Sequence, residues 1–199
     1  LFRIRSTDPG IMMPPIGRGL VDKEGTTLVS QWIDQIPSDE ELEQRALNPM
    51  EAYRESLAGG NAKRGKELFS SKLQCIACHI TDESKSRTIG PNLADVGSRE
   101  NREYLLESIV SPSKKIAAGY ETTILTSKNG MIFSGTLVSE DSYEVTLAAP
   151  DGESVTVRKE DLKSRRQSRL SMMPSMANLL TIEEARDLVE YLSSLKGIR

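Results

Sequence analysis

Cys75 and Cys78 are the two cysteines of this 199-residue chain, and the residue after them, His79, is its one histidine. Two thiols at this spacing lie on one turn. Each can form a thioether with a vinyl group of a haem, and the adjacent imidazole then points at the iron from one face. The run Cys75-Ile76-Ala77-Cys78-His79 is the attachment signature for haem c. Other chemistries use parts of the same pattern. A redox dithiol calls for a strand before the motif and a helix after it, whereas a helix-like segment precedes this one. A zinc site needs four ligands, and no further Cys or His completes a usual set. A structural disulfide across two intervening residues is rare in such a setting. The reading is one covalent haem c per chain, with His79 as an iron ligand.

The opposite face of the iron needs a second ligand. With one histidine, two imidazoles from the same chain are impossible. Met, Lys, water or a residue of another chain are left. A thioether ligand raises the reduction potential relative to a second imidazole, and Ser171-Met172-Met173-Pro174-Ser175-Met176 is a methionine-rich stretch. Methionine also fills irregular apolar gaps, so these side chains could simply pad a haem pocket.

The elements that would hold these residues are legible. Asn61 can cap a helix from about Ala62 to Leu73, with Gly65, Leu68, Phe69 and Leu73 on one face. Gly90-Pro91-Asn92-Leu93 is a turn signal. Tyr104, Leu105 and Ile109 predict a helix from about Asn101 to Val110, stopped by Pro112. Thr181-Ile182-Glu183-Glu184 is a capping box. It opens a helix whose apolar stripe is Ala185, Leu188, Val189, Leu192 and Leu195.

That order of elements resembles the class I cytochrome c fold over roughly Asn61 to Gly197. In that family the first and last helices cross, with a Gly and aromatic rings at the contact; Gly65, Phe69 and Tyr191 match. The resemblance implies that the Pro91 carbonyl accepts a hydrogen bond from the His79 ring. It also implies that the methionine of a Met-Pro pair before the last helix is the sixth ligand, which makes Met173 the choice over Met176 and Met172. The implied fold is mainly α: a class I cytochrome c helical fold with a small β-sheet inserted before the Met-ligand loop, plus an N-terminal helical extension.

The insertion, at about 118–165, is read from four β-rich runs, Thr122–Thr126, Met131–Val138, Tyr143–Ala148 and Ser154–Val157. Asn129-Gly130 and Asp151-Gly152 are hairpin signals between them. A cytochrome with such an insertion resembles the haem-binding domain type described from planctomycetes and verrucomicrobia, found at the C-terminal end of large exported dehydrogenase-like or propeller-containing proteins. The residues that carry this likeness are Gly90-Pro91-Asn92-Leu93, Tyr104 to Ile109 ending at Ser111-Pro112-Ser113, Gly119-Tyr120-Glu121-Thr122, and Met172-Met173-Pro174. It implies a fused or partner dehydrogenase as redox partner and a periplasmic or exported location.

Residues 1–60 read as an N-terminal extension, the tail of a preceding domain, and residues 61–199 as the cytochrome domain, with Gly59-Gly60 at the boundary. The chain starts at Leu1, which is the expectation for a fragment or processed product. Met12-Met13-Pro14-Pro15 is followed by an amphipathic stretch with Leu28, Trp32, Ile33 and Ile36, where Trp32 is expected as a core anchor. Ser38-Asp39-Glu40-Glu41 is a capping box for a helix from about Asp39 to Leu57.

Hydrophobic residues make up 37% and charged residues 28%, with a net charge of −3. This balance gives no reason to expect a nucleic-acid partner. No apolar run reaches the roughly 18 residues of a membrane span. From Arg158 to Arg169, six basic residues (Arg158, Lys159, Lys163, Arg165, Arg166 and Arg169) stand against Glu160 and Asp161. Such a run is a solvated face or a rim that steers an acidic redox partner. Two function classes follow. One is a non-enzymatic electron-transfer domain with His79/Met173 ligation. The other is a haem enzyme or sensor with an open distal site, which would lack a distal histidine as acid or base.

Overall fold

Asn61 leaves an extended stretch, and its side-chain oxygen accepts hydrogen bonds from the backbone N–H of Lys63 (3.0 Å) and Arg64 (3.2 Å). Those two groups have no partner inside a helix, so the cap stabilises the first turn by about 1 kcal/mol. The computed structural model describes residues 2–8, 11, 21–34, 38, 40, 43, 47–82 and 89–197. The chain divides into two compact units, Leu1–Gln44 and Arg45–Arg199. The second unit begins before Gly59-Gly60 and takes in residues that the sequence reading placed in the extension.

The first unit contains helices α1 (Phe2–Arg5) and α2 (Lys23–Asp34). Trp32, expected as a core anchor, is 63% exposed, and Leu28 is exposed as well. Thr26 is the one buried residue of α2, so the described part of this helix has no core to anchor. Met12-Met13-Pro14-Pro15, Ile36, and Asp39 and Glu41 of the Ser38–Glu41 capping box lie outside the described residues. The expected helix over 39–57 does not run unbroken. Asn48 and Pro49 start a short new helix, α3 (Pro49–Ala52), with proline in the first turn, and a 3-10 turn follows at Arg54–Leu57.

The helical core of the second unit is made by α4 (Ala62–Ser70), α5 (Val96–Arg99), α6 (Arg102–Val110) and α7 (Ile182–Ser194). The α4–α7 crossing is the largest contact between helices. It is possible because Gly65 has no side chain: a Cβ there would stand 2.0 Å from the Asp187 carbonyl oxygen and 2.7 Å from Tyr191 Cβ. Phe69 and Tyr191 meet edge to face beside it, ring centroids 5.5 Å apart. The buried Asp187 carboxylate closes the same contact, accepting from Asn61 N at 2.6 Å and pairing with Arg64 Nε at 2.8 Å. The capping box at Thr181 and Glu184 forms as expected. Ala185, Leu188, Val189 and Leu192 are buried and Leu195 is half-buried.

Between α6 and α7 the chain builds a five-stranded antiparallel sheet: β1 (Thr122–Ser127), β2 (Ile132–Glu140), β3 (Glu144–Ala148), β4 (Ser154–Arg158) and β5 (Leu162–Gln167). The spatial order is β4-β3-β2-β1-β5. A 3-10 turn, Lys159–Asp161, joins the two edge strands. Register shifts at Thr126/Ser127 and Leu137/Ser139 bend the sheet. Leu125, Val145, Leu147 and Val157 form its own buried cluster, separate from the helical one. Gly130 and Gly152 take positive φ in the two hairpin turns, where a side chain would be strained. With five strands, "mainly α" does not describe the chain: it combines a helical cytochrome-like core with a β unit that has its own interior. The strand that sequence patterning passed over is β5. It reads Leu-Lys-Ser-Arg-Arg-Gln, and only Leu162 is turned from solvent, so it lacks the apolar alternation that reveals a half-buried strand.

Substituting Gly65→Ala forces a methyl into the α7 backbone. We expect a loss of more than about 3 kcal/mol of stability, read as a lower thermal midpoint. An unchanged midpoint would show that the crossing does not depend on this contact.

Candidate functional site

Gln74 adopts a left-handed backbone, φ +49°, and turns the chain out of α4 into a 3-10 turn at Cys75–Ala77. The turn is closed by Cys78 N to Cys75 O (3.1 Å) and His79 N to Cys75 O (2.9 Å). Both cysteines are half-buried on that single turn and are not joined in a disulfide. Cys75 packs against the helical core, and burial pushes its thiol pKa up to about 11. The backbone geometry holds the two sulfurs on one turn without bonding them to each other, as thioether formation to a common planar group requires.

His79 follows directly. Its Nδ1 lies 2.9 Å from the Pro91 carbonyl oxygen. A carbonyl can only accept, so Nδ1 carries the hydrogen and Nε2 keeps its lone pair for a metal. Burial lowers the imidazole pKa below its ordinary 6.5, and the Pro91 bond offsets part of that shift. Burial, the larger effect, favours the neutral ring, and the Pro91 bond fixes its orientation. The loop supplying Pro91 is tied to the motif by Gly90 N to Cys78 O (2.9 Å) and Leu93 N to Ile80 O (2.7 Å). Gly90 touches the ring: a Cβ there would sit 2.7 Å from His79 Cε1 and 2.9 Å from Nδ1. Sequence reading named the Gly90–Leu93 turn but not this reason for the glycine, which is steric and visible only once the ring is placed.

Met173 lies on a different segment. Its backbone N donates to Ser171 Oγ at 3.1 Å. The segment is moored by Thr122 Oγ1 to Leu170 O (2.8 Å), Ser171 N to Ser113 Oγ (3.1 Å), Ser175 Oγ to Val110 O (2.7 Å) and Met176 N to Ile109 O (3.0 Å). Met172, Met173 and Met176 are all half-buried. Met176 packs into the helical core, and Met173 is not part of that cluster. Cys75, Cys78, His79 and Pro91 are thus joined by one turn and one hydrogen bond, whereas the structure shows the anchoring of Met173 rather than a contact with His79. Two residues that sequence reading missed also reach this region, Tyr53 to the methionine segment and Ser56 to the start of α7. The Tyr53 hydroxyl donates to the carbonyls of Ala177 and Leu180, and Ser56 Oγ donates to Ile182 O at 2.8 Å. No local pattern marks them, because their partners lie more than a hundred residues away.

A turn presenting two thiols not joined in a disulfide, an imidazole whose Nε2 carries the lone pair, and a glycine cradle against the ring define a site for covalently bound haem on a helical core. Residues 62–141 match the cytochrome c family model. The match takes in the haem motif and α6 and ends just past β2, before the methionine segment and α7. No curated protein was found to match the chain. The cofactor is haem c, with Cys75 and Cys78 in the C-x-x-C-H arrangement that attaches it. Its chemistry is electron transfer. No helix among the described residues is long and apolar enough to cross a membrane.

Gly90→Ala pushes the His79 ring off its present position while leaving both cysteines in place. The expected product still carries covalent haem but shows a weakened low-spin spectrum. A haem spectrum identical to that of the unmutated protein would overturn the cradle.

Proposed function

We propose that this domain carries electrons through one haem c held by thioethers to Cys75 and Cys78, with His79 and Met173 as axial ligands. The observation that carries this reading is the His79 Nδ1–Pro91 hydrogen bond beside the two-cysteine turn, which leaves Nε2 as the ring nitrogen that carries the lone pair. Bound haem supplies a one-electron couple at its iron. The chain's part is to keep the imidazole neutral and oriented, to keep apolar walls such as Leu93 near the motif, and to present a sulfur whose softness favours the reduced metal. Met173 is favoured over Met176 because Met176 is engaged in the helical core.

The partner is a redox protein, and a fused or associated dehydrogenase fits the inserted-sheet architecture. The location is periplasmic or exported, where haem c is attached in bacteria. The face that fits an acidic partner is the edge strand β5. Its basic run is partly neutralised from within: Arg158 pairs with Glu160 and Asp161, and Lys159 and Arg165 both pair with Glu140. These two cations hold the Glu140 carboxyl below its usual range. Lys163, Arg166 and Arg169 are exposed and, among the described residues, have no ion pair. Their charge is available to an encounter complex.

His79→Ala is expected to abolish stable low-spin haem, and its persistence would overturn the ligand assignment. Met173→Ala is expected to remove the long-wavelength charge-transfer band of a sulfur–iron bond, and Met176→Ala to retain it. The reverse pattern would move the ligand to Met176. A high-spin unmutated protein that binds carbon monoxide directly would favour an open distal site and a ligand-binding haem. Reversing Lys163 and Arg166 to Glu should slow reduction by an acidic protein donor below about 0.1 M salt, where the screening length exceeds roughly 10 Å. A rate unchanged across ionic strength would remove β5 from the docking face.

A further inference from the structure

The methionine segment is held between two supports that come from separate stretches of the chain. On one side is the C-terminal end of α6, through Val110 O and Ile109 O. On the other is Tyr53, from the stretch preceding the first cytochrome helix and outside the family-model match. Tyr53 is fully buried, at 0% exposure. Its hydroxyl is directed at the carbonyls of Ala177 and Leu180, the latter at 2.5 Å. A buried phenol that reaches only apolar neighbours would be destabilising, and a Phe would serve there as well. Here the single hydroxyl hydrogen is shared between two loop carbonyls.

The consequence falls on Met173. Ser171 is fixed by Ser113 and Ser175 by Val110, so only Met172, Met173 and Pro174 span the interval. Pro174 restricts that interval further by fixing its own φ. The freedom of the Met173 sulfur is therefore set by how firmly residues 175–180 are seated, and Tyr53 is the anchor on their far side. We infer that Tyr53 is a positioning residue for the sixth haem ligand, setting how readily the Met173 thioether leaves the iron. This inference rests on the assignment of Met173 as that ligand. Ser56 supplies the comparison, because its hydroxyl bonds Ile182 O, at the start of α7 and beyond the loop.

The test uses the haem-loaded full chain and two variants, Tyr53→Phe and Ser56→Ala. Losing one net hydrogen bond of about 1 kcal/mol corresponds to a factor of roughly five to ten. Tyr53→Phe should speed amide hydrogen exchange across residues 175–180 by that factor. It should tighten the apparent binding of added imidazole, which competes with the sulfur for iron, by the same factor, and lower the reduction potential. Ser56→Ala should leave imidazole binding and potential unchanged. If the sulfur–iron band is present and Tyr53→Phe changes neither exchange nor imidazole affinity, the inference is overturned. It is equally overturned if Ser56→Ala shifts them as much. Absence of the band from the unmutated protein overturns the Met173 assignment first, and this inference with it.

Discussion

The close approach of α4 to α7 at Gly65 is the constraint on which the rest of the second unit depends. A Cβ at this position would stand 2.0 Å from a backbone carbonyl of α7, so the two helices meet backbone to backbone. That contact sets the Phe69–Tyr191 edge-to-face pair and places the Asp187 carboxylate where it can accept from Asn61 N. A buried carboxylate is costly unless paired and hydrogen-bonded, and Arg64 supplies the charge. Because α4 leads directly into the Cys75 turn, the crossing also fixes where the haem motif starts. Because α7 follows the methionine segment, it fixes where that segment must end.

The haem motif shows how few protein groups are needed to orient an imidazole. One carbonyl, Pro91 O, determines the tautomer of His79, and one missing side chain, that of Gly90, leaves room for the ring. Burial pushes the imidazole toward its neutral form and the same hydrogen bond opposes this in part. The net result is an oriented lone pair with little freedom to wander, the general means by which outer partners tune a metal ligand.

The inserted sheet has its own apolar interior, and Thr122 Oγ1 bonds Leu170 O where β1 begins and the chain leaves β5. An element with a separate core can be added at that point without disturbing the helical crossing, since it alters only the length of the connection between α6 and α7. It also delivers a basic edge strand directly before the methionine segment. Lysine and arginine on an edge strand discourage pairing with other chains, so β5 carries a protective role alongside any role in docking.

The sequence by itself determined the chemistry and the local elements. Cys75, Cys78 and His79 name the cofactor because two thiols and an imidazole at that spacing have few other uses. Asn61, Asn101 and Thr181 mark helix starts because their side chains satisfy backbone N–H groups within a few residues. Asn129-Gly130 and Asp151-Gly152 mark hairpins because glycine alone tolerates the backbone twist. What tertiary structure decided was everything carried by long-range contact. Strand β5 is stable because β1 pairs with it, and its own residues give no sign of this. Tyr53 belongs with the methionine segment, and Ser56 with the start of α7, because folding brings together residues more than a hundred positions apart. Trp32 looks like a core residue by its type and spacing, yet the described helix around it offers nothing to bury it against. Local pattern reports what a residue can do with its near neighbours. Which distant partner it meets depends on how the elements pack, and here that packing turns on the absence of a side chain at Gly65.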